Sequence, residues 1–186
     1  FDKRVDYIRF QHELHDTDAR GTGGLCHGFG NGHAHIAAFK RNNDRQTQHI
    51  LIHEFTHAFM HRYQTPRPLP EWVGEGLAEF IAHTIEPPPG QNLNLKSRLQ
   101  LEGKQGLGDD FYDGDDLAAW QYDIAAALTG FLLERSKTAY PKFIAELKKG
   151  TQLEQALKDT YRMTPAKLTQ RFKQRLDREL NNKLGG

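Results

Sequence analysis

Cysteine is nearly absent from this sequence: Cys26 is the only one in 186 residues. A lone thiol closes no internal disulfide and rules out a zinc site built from several cysteines. It reads as a small buried residue; the alternative is a latency role, with its thiolate occupying a metal's open position. An excess of one charge is missing too. The 25 Lys and Arg against 24 Asp and Glu leave a net charge of +1, which gives no reason to expect nucleic acid as a partner. No run approaches the roughly 18 apolar residues of a membrane span. The sequence opens at Phe1 without Met, as removal of an upstream segment would leave it in a secreted, periplasmic or cell-envelope protein. Nothing in the pattern fixes an oligomeric state.

What is present fits a folded chain. With 37% hydrophobic and 26% charged residues the composition is polar but not that of a disordered protein, and the length suits one domain over 1–186. Tyr7-Ile8-Arg9-Phe10 reads as a short strand. The glycine clusters 21–24 and 28–32 read as loops that match no phosphate-binding pattern. Ala34–Phe39 reads as a strand. A helix is expected from Asp44, as its N-cap, to about Tyr63, with Leu51, Phe55, Ala58 and Phe59 as its apolar stripe. Pro66, Pro68 and Pro70 stop it. A second helix fits Glu71–Thr84, closed by Pro87-Pro88-Pro89-Gly90, and a short one fits Leu93–Leu101. Asp115 or Asp116 is expected to cap an apolar helix over Leu117–Arg135. Pro141–Lys149, Thr151–Tyr161 and Pro165–Leu184 make the C-terminal half helical, the last opening on Thr164-Pro165 as cap and first helical residue.

The chemistry concentrates in His53-Glu54-Phe55-Thr56-His57. Residues four apart share a helix face, so both imidazoles can reach one metal ion, and Glu54 beside them can act on a water. His49, His53, His57 and His61 form a ladder at steps of four. Each step drifts about 40° around the helix, so all four cannot converge on one ion. Only the central pair has Glu directly after its first member, and His49 and His61 read as flanking polar or hydrogen-bonding positions.

Two histidines need a third protein ligand if a fourth position is to stay open for water. The segment Glu71-Trp72-Val73-Gly74-Glu75-Gly76-Leu77-Ala78-Glu79 supplies Glu75, 18 positions after His57, on the next expected helix. Glu79, one turn on, shares its face and suits an outer partner to a ligand imidazole. Solvated acids are the plain alternative for both.

His53-Glu54-x-x-His57 followed by Glu75-Gly76-Leu77-Ala78-Glu79 resembles the signature of gluzincin zinc metallopeptidases, closest to their small peptidase-MA-like domains. The likeness covers residues 44–86 firmly and 117–180 loosely. It implies an α+β, zincin-like fold: a small N-terminal β-sheet with the active-site helix, and a helical C-terminal half. It further implies Zn²⁺ held by His53, His57 and Glu75, Glu54 as general base and Glu79 behind the ligands. The family places a Tyr or His at the oxyanion. Tyr122 takes that position by resemblance, a core tyrosine being the other reading, with His83 and Tyr112 as alternatives. The strand Ala34–Phe39 would line the cleft and pair with an extended substrate. His33 and His35 share a strand face, for which plain exposure is the simpler account.

The activity expected is endopeptidase-like hydrolysis of a peptide or protein, with a zinc-bound water activated by Glu54. An aminopeptidase of the same clan would need an acidic amine-binding segment before the helix, and Gly32–Phe39 has no acid. A non-catalytic zinc or peptide-binding domain would have no need of Glu54.

Overall fold

The computed structural model describes residues 1–63 and 65–184. Among them are eight helices and a two-stranded antiparallel sheet, a mixed α+β chain. None of the helices is long and apolar enough to cross a membrane. The chain divides into two compact units, residues 1–66 with 81–89 and residues 67–80 with 90–186.

The first unit opens with helix α1 (Arg4–His15) where a strand is expected at 7–10. Alternation would put Arg9 on the same face as Tyr7. Instead Arg9 is exposed and pairs with Asp6 at 3.0 Å, while Tyr7 and Gln11, four apart, are fully buried. Asp16, at φ 49°, ends the helix in the left-handed conformation. A second departure from expectation is strand β1 (Gly24–Gly28), in a stretch whose glycines read as loop. It pairs with β2 (Ala34–Ala38) from Gly24↔Ala38 to Gly28↔Ala34. The tip between them closes through Phe29 N–H to His33 O and turns at Gly32, whose φ of 82° suits glycine. Tyr7, Ala19, Ala37 and Phe39 form the buried core of this unit, with Ile8, Phe10 and Leu25 packed on it.

Helix α2 (Asp44–Arg62) follows the sheet. Its N-cap is Asn43 and not Asp44: the Asn43 side chain accepts the Arg45 N–H at 2.9 Å, which makes Asp44 the first helical residue. The expected apolar stripe is also corrected. Phe55 and Phe59 are 60% and 65% exposed, whereas Glu54 is buried at 8%. Leu51 and Ala58 are half-buried, so the stripe fails at Phe55 and Phe59, and Glu54 shares the face toward β1 with Ile50. Gly24 meets Ile50 and Glu54, and Gly28 lies under the His61 ring.

Helix α3 (Glu71–Ile85) begins in the second unit. Its Trp72 is buried against Phe111, Tyr112 and Phe143, at ring-centroid distances of 5.9, 5.6 and 6.3 Å. Around this cluster lie α4 (Leu93–Gly103), α5 (Tyr122–Arg135), α6 (Ala139–Lys149), α7 (Leu153–Tyr161) and α8 (Pro165–Leu184). Helix α5 starts at Tyr122, five residues later than expected. Gln121 pins the preceding turn: its side chain accepts the Ala118 N–H at 2.7 Å and donates to Leu107 O at 2.7 Å. Ile124, Ala125, Ala126, Leu128, Thr129 and Leu132 are fully buried, as suits a central helix. Thr164 caps α8 as expected, its hydroxyl accepting from Lys167 N–H at 3.3 Å.

Helix α3 reaches α5 through Gly76. A Cβ there would stand 2.5 Å from Ala125 O and 2.9 Å from Thr129 Oγ1, so backbone must move to admit it. Alanine ordinarily gains about 1 kcal/mol over glycine in a helix, but overpacking of this kind costs about 1–3 kcal/mol. Gly76→Ala is expected to lower stability by up to about 2 kcal/mol in urea unfolding; a variant more stable than the parent would show that this contact is loose.

Candidate metal centre

Helices α2 and α3 each carry candidate residues at steps of four. On α2 the spacing of four sets His49, His53 and His57 in one row, and on α3 it does the same for Glu75, Glu79 and His83. His53 and His57 meet directly, Nε2 to Nε2 at 3.0 Å, one imidazole donating its N–H to the other. With Glu75 they form a group whose ligand atoms all lie within 4.8 Å of one another. Ligands of a four-coordinate zinc sit about 3.3 Å apart, a spacing that small side-chain rotations reach. Two imidazoles and one carboxylate suit zinc by their chemistry as well as their spacing.

Glu54, the residue after His53, faces the β1 side of α2. A Cβ at Gly24 would meet its Cγ at 2.9 Å and its Oε1 at 3.1 Å. The two strand glycines are thus site-forming residues that sequence reading missed. Gly24 makes room for the Glu54 side chain, and Gly28 makes room for His61. The His61 Nε2–H donates to Phe29 O at 2.7 Å and ties α2 to the hairpin tip. That is the hydrogen-bonding role expected of it.

The Glu54 carboxylate also acts on its neighbours. Burial first, and then its charge, pushes the Cys26 thiol up to about 11. Without a metal beside it, Cys26 is therefore a thiol at neutral pH. Burial likewise raises the Tyr7 phenol, with Glu54 adding to the shift, although hydrogen bonds from Thr22 and Gln11 oppose it.

The remaining residues fall into four places. Glu79 joins His49 and His83 in a second group, again with ligand atoms within 4.8 Å of one another. Tyr122 stands half-buried as the first residue of α5. Tyr112 is committed elsewhere: its hydroxyl shares a hydrogen bond with Thr169 Oγ1 at 2.7 Å, and burial pushes its pKa up to about 12. His33 is exposed in the hairpin loop. His35 is exposed on its strand, as expected, where it pairs with His27 across the sheet and its ring meets those of His15 and Phe29.

Comparison with models of known families, with curated proteins and with solved structures gave no match. The site rests on its own chemistry.

His57→Ala removes one donor from the first group. Zn²⁺ affinity at that group is expected to fall by more than about 100-fold, beyond the usual 10–100-fold cost of losing an outer partner. Competition against a chromophoric chelator measures it, and unchanged affinity would dissolve the group.

Proposed function

We propose that this protein is a zinc metallopeptidase of the gluzincin kind, with a zincin-like fold and peptides or proteins as substrates. The observation that carries the reading is the convergence of His53, His57 and Glu75. It gains support from Glu54, a carboxylate directly after the first ligand and buried at 8%, which a purely structural site would not need.

A zinc ion held by His53, His57 and Glu75 would supply Lewis acidity, lowering the pKa of water and polarising the scissile carbonyl. Glu54 accepts the proton of the attacking water and delivers it to the leaving amine. Glu75 offsets part of the dication's charge while the two neutral imidazoles leave it net positive. Tyr122 is the candidate donor to the oxyanion.

Substrate would lie along β2. Phe39 N–H turns toward β1, donating to Gly23 O at 3.4 Å, so the backbone groups of Ala38 and Lys40 face the opposite edge. At that edge the chain's own Phe1 is bound: Phe1 N donates to Ala38 O at 2.8 Å, and Lys40 N–H to Phe1 O at 2.7 Å, so a substrate there would take its place. A substrate backbone uses the same kind of bonds. The absence of an acid in Gly32–Phe39 favours an endopeptidase over an aminopeptidase.

Glu54→Gln is isosteric and removes the base. Hydrolysis of a quenched peptide library is expected to fall by about 10²–10⁴-fold with zinc content unchanged; wild-type turnover in this variant would end the peptidase reading. Tyr122→Phe deletes one hydroxyl and keeps the ring. A donor to the oxyanion would cost about 10²–10³-fold in kcat with little change in KM. Parameters near wild type would make Tyr122 a packing residue.

A further inference from the structure

The second group, His49, Glu79 and His83, lies one helical turn along from the first. We infer that it is a second metal site, which binds a divalent transition-metal ion independently of any peptidase activity. Its donors repeat the first set: two imidazoles and a carboxylate, each offering one ligand atom, all within 4.8 Å of one another. All three residues are half-buried.

Two further features prepare this group for a metal. His49 Nδ1 lies 3.1 Å from Glu86 O. A carbonyl only accepts, so Nδ1 carries the hydrogen and the lone pair of the neutral ring is left on Nε2. A backbone carbonyl on the far nitrogen is the usual way in which a ligand imidazole is oriented. The His83 ring stands edge-on to His49, with centroids 5.1 Å apart at 81°, and its Nε2 is shielded from solvent. The rings thus approach as two ligands of one ion do, without stacking flat.

The charge balance agrees. Glu79 reduces a dication to a net charge of +1, as Glu75 does in the first group. Four residues of helix separate the two groups by about 6 Å along the axis. Two centres of net charge +1 at that distance weaken the second binding step by about 3- to 100-fold, depending on the local dielectric. Glu79 is then a ligand in its own right, where sequence reading made it an outer partner of the first site.

The test is a metal count on the whole chain. Protein stripped by a chelator is titrated with Zn²⁺ against a chromophoric competitor, and bound metal is measured by elemental analysis after gel filtration. Parallel titration with Co²⁺ reads the geometry in its visible bands. Wild type is expected to bind two equivalents, the second more weakly. His83→Ala and the isosteric Glu79→Gln should each keep only the tighter one, and His57→Ala only the weaker one. Far-UV circular dichroism checks the fold, and Glu79→Gln carries the test if His83→Ala does not fold. One equivalent in wild type that survives His83→Ala and Glu79→Gln but is lost in His57→Ala overturns the second site and leaves the first intact. One equivalent lost in all three variants means a single shared ion, which also overturns it. A weak equivalent that persists in His57→Ala, with no tight one in wild type, upholds this site and removes the first.

Discussion

Two imidazole nitrogens held 3.0 Å apart by a single helical turn set the terms for their surroundings. Without a cation between them, one ring must present a hydrogen to the other's lone pair. A dication satisfies both lone pairs at once, and Glu75 then offsets part of its charge. On helix α2 the Glu54 carboxylate is buried while Phe55 and Phe59 face solvent. Burying that carboxylate costs free energy, so other contacts must hold the helix in place. Close approach to glycine at 24 and 28, and the His61 bond to the hairpin tip, hold it on one side.

On α3 the same demand is met differently. Trp72 anchors the start of the helix in an aromatic cluster, and Gly76 brings its backbone against Ala125. Around the helix from Gly76, Glu75 lies about 100° away, Glu79 about 60° and His83 about 20°. The rigid start of α3 therefore fixes its rotation, and with it the direction of the carboxylates. Packing and site chemistry are linked through one glycine.

These relations explain what was legible in the sequence. The helices bearing the motif, and the grouping of His53 and His57, follow from spacing within one helix. Glu75 followed from spacing together with the need for a third donor. Strand β1 was hidden because Gly-Leu-Cys-His-Gly shows no alternation, and its two glycines read as loop until α2 is seen against them. Helix α1 was misread because its buried positions, Tyr7 and Gln11, include a polar residue. The apolar stripe of α2 failed at Phe55 and Phe59 for a related reason: the amphipathic rule assumes that apolar residues face inward, and on this helix a carboxylate is buried instead. Gln121 and the His49–Glu79–His83 group depend on partners distant in sequence, which no local pattern encodes.

The central claim is that His53, His57 and Glu75 hold one zinc ion, and diffraction recorded across the zinc absorption edge tests it most directly. Crystals of protein loaded with a single equivalent of Zn²⁺ should give an anomalous peak about 2.0–2.2 Å from His53 Nε2, His57 Nε2 and a Glu75 carboxylate oxygen. A fully loaded crystal with no peak between those three atoms, its zinc lying elsewhere, would contradict the account.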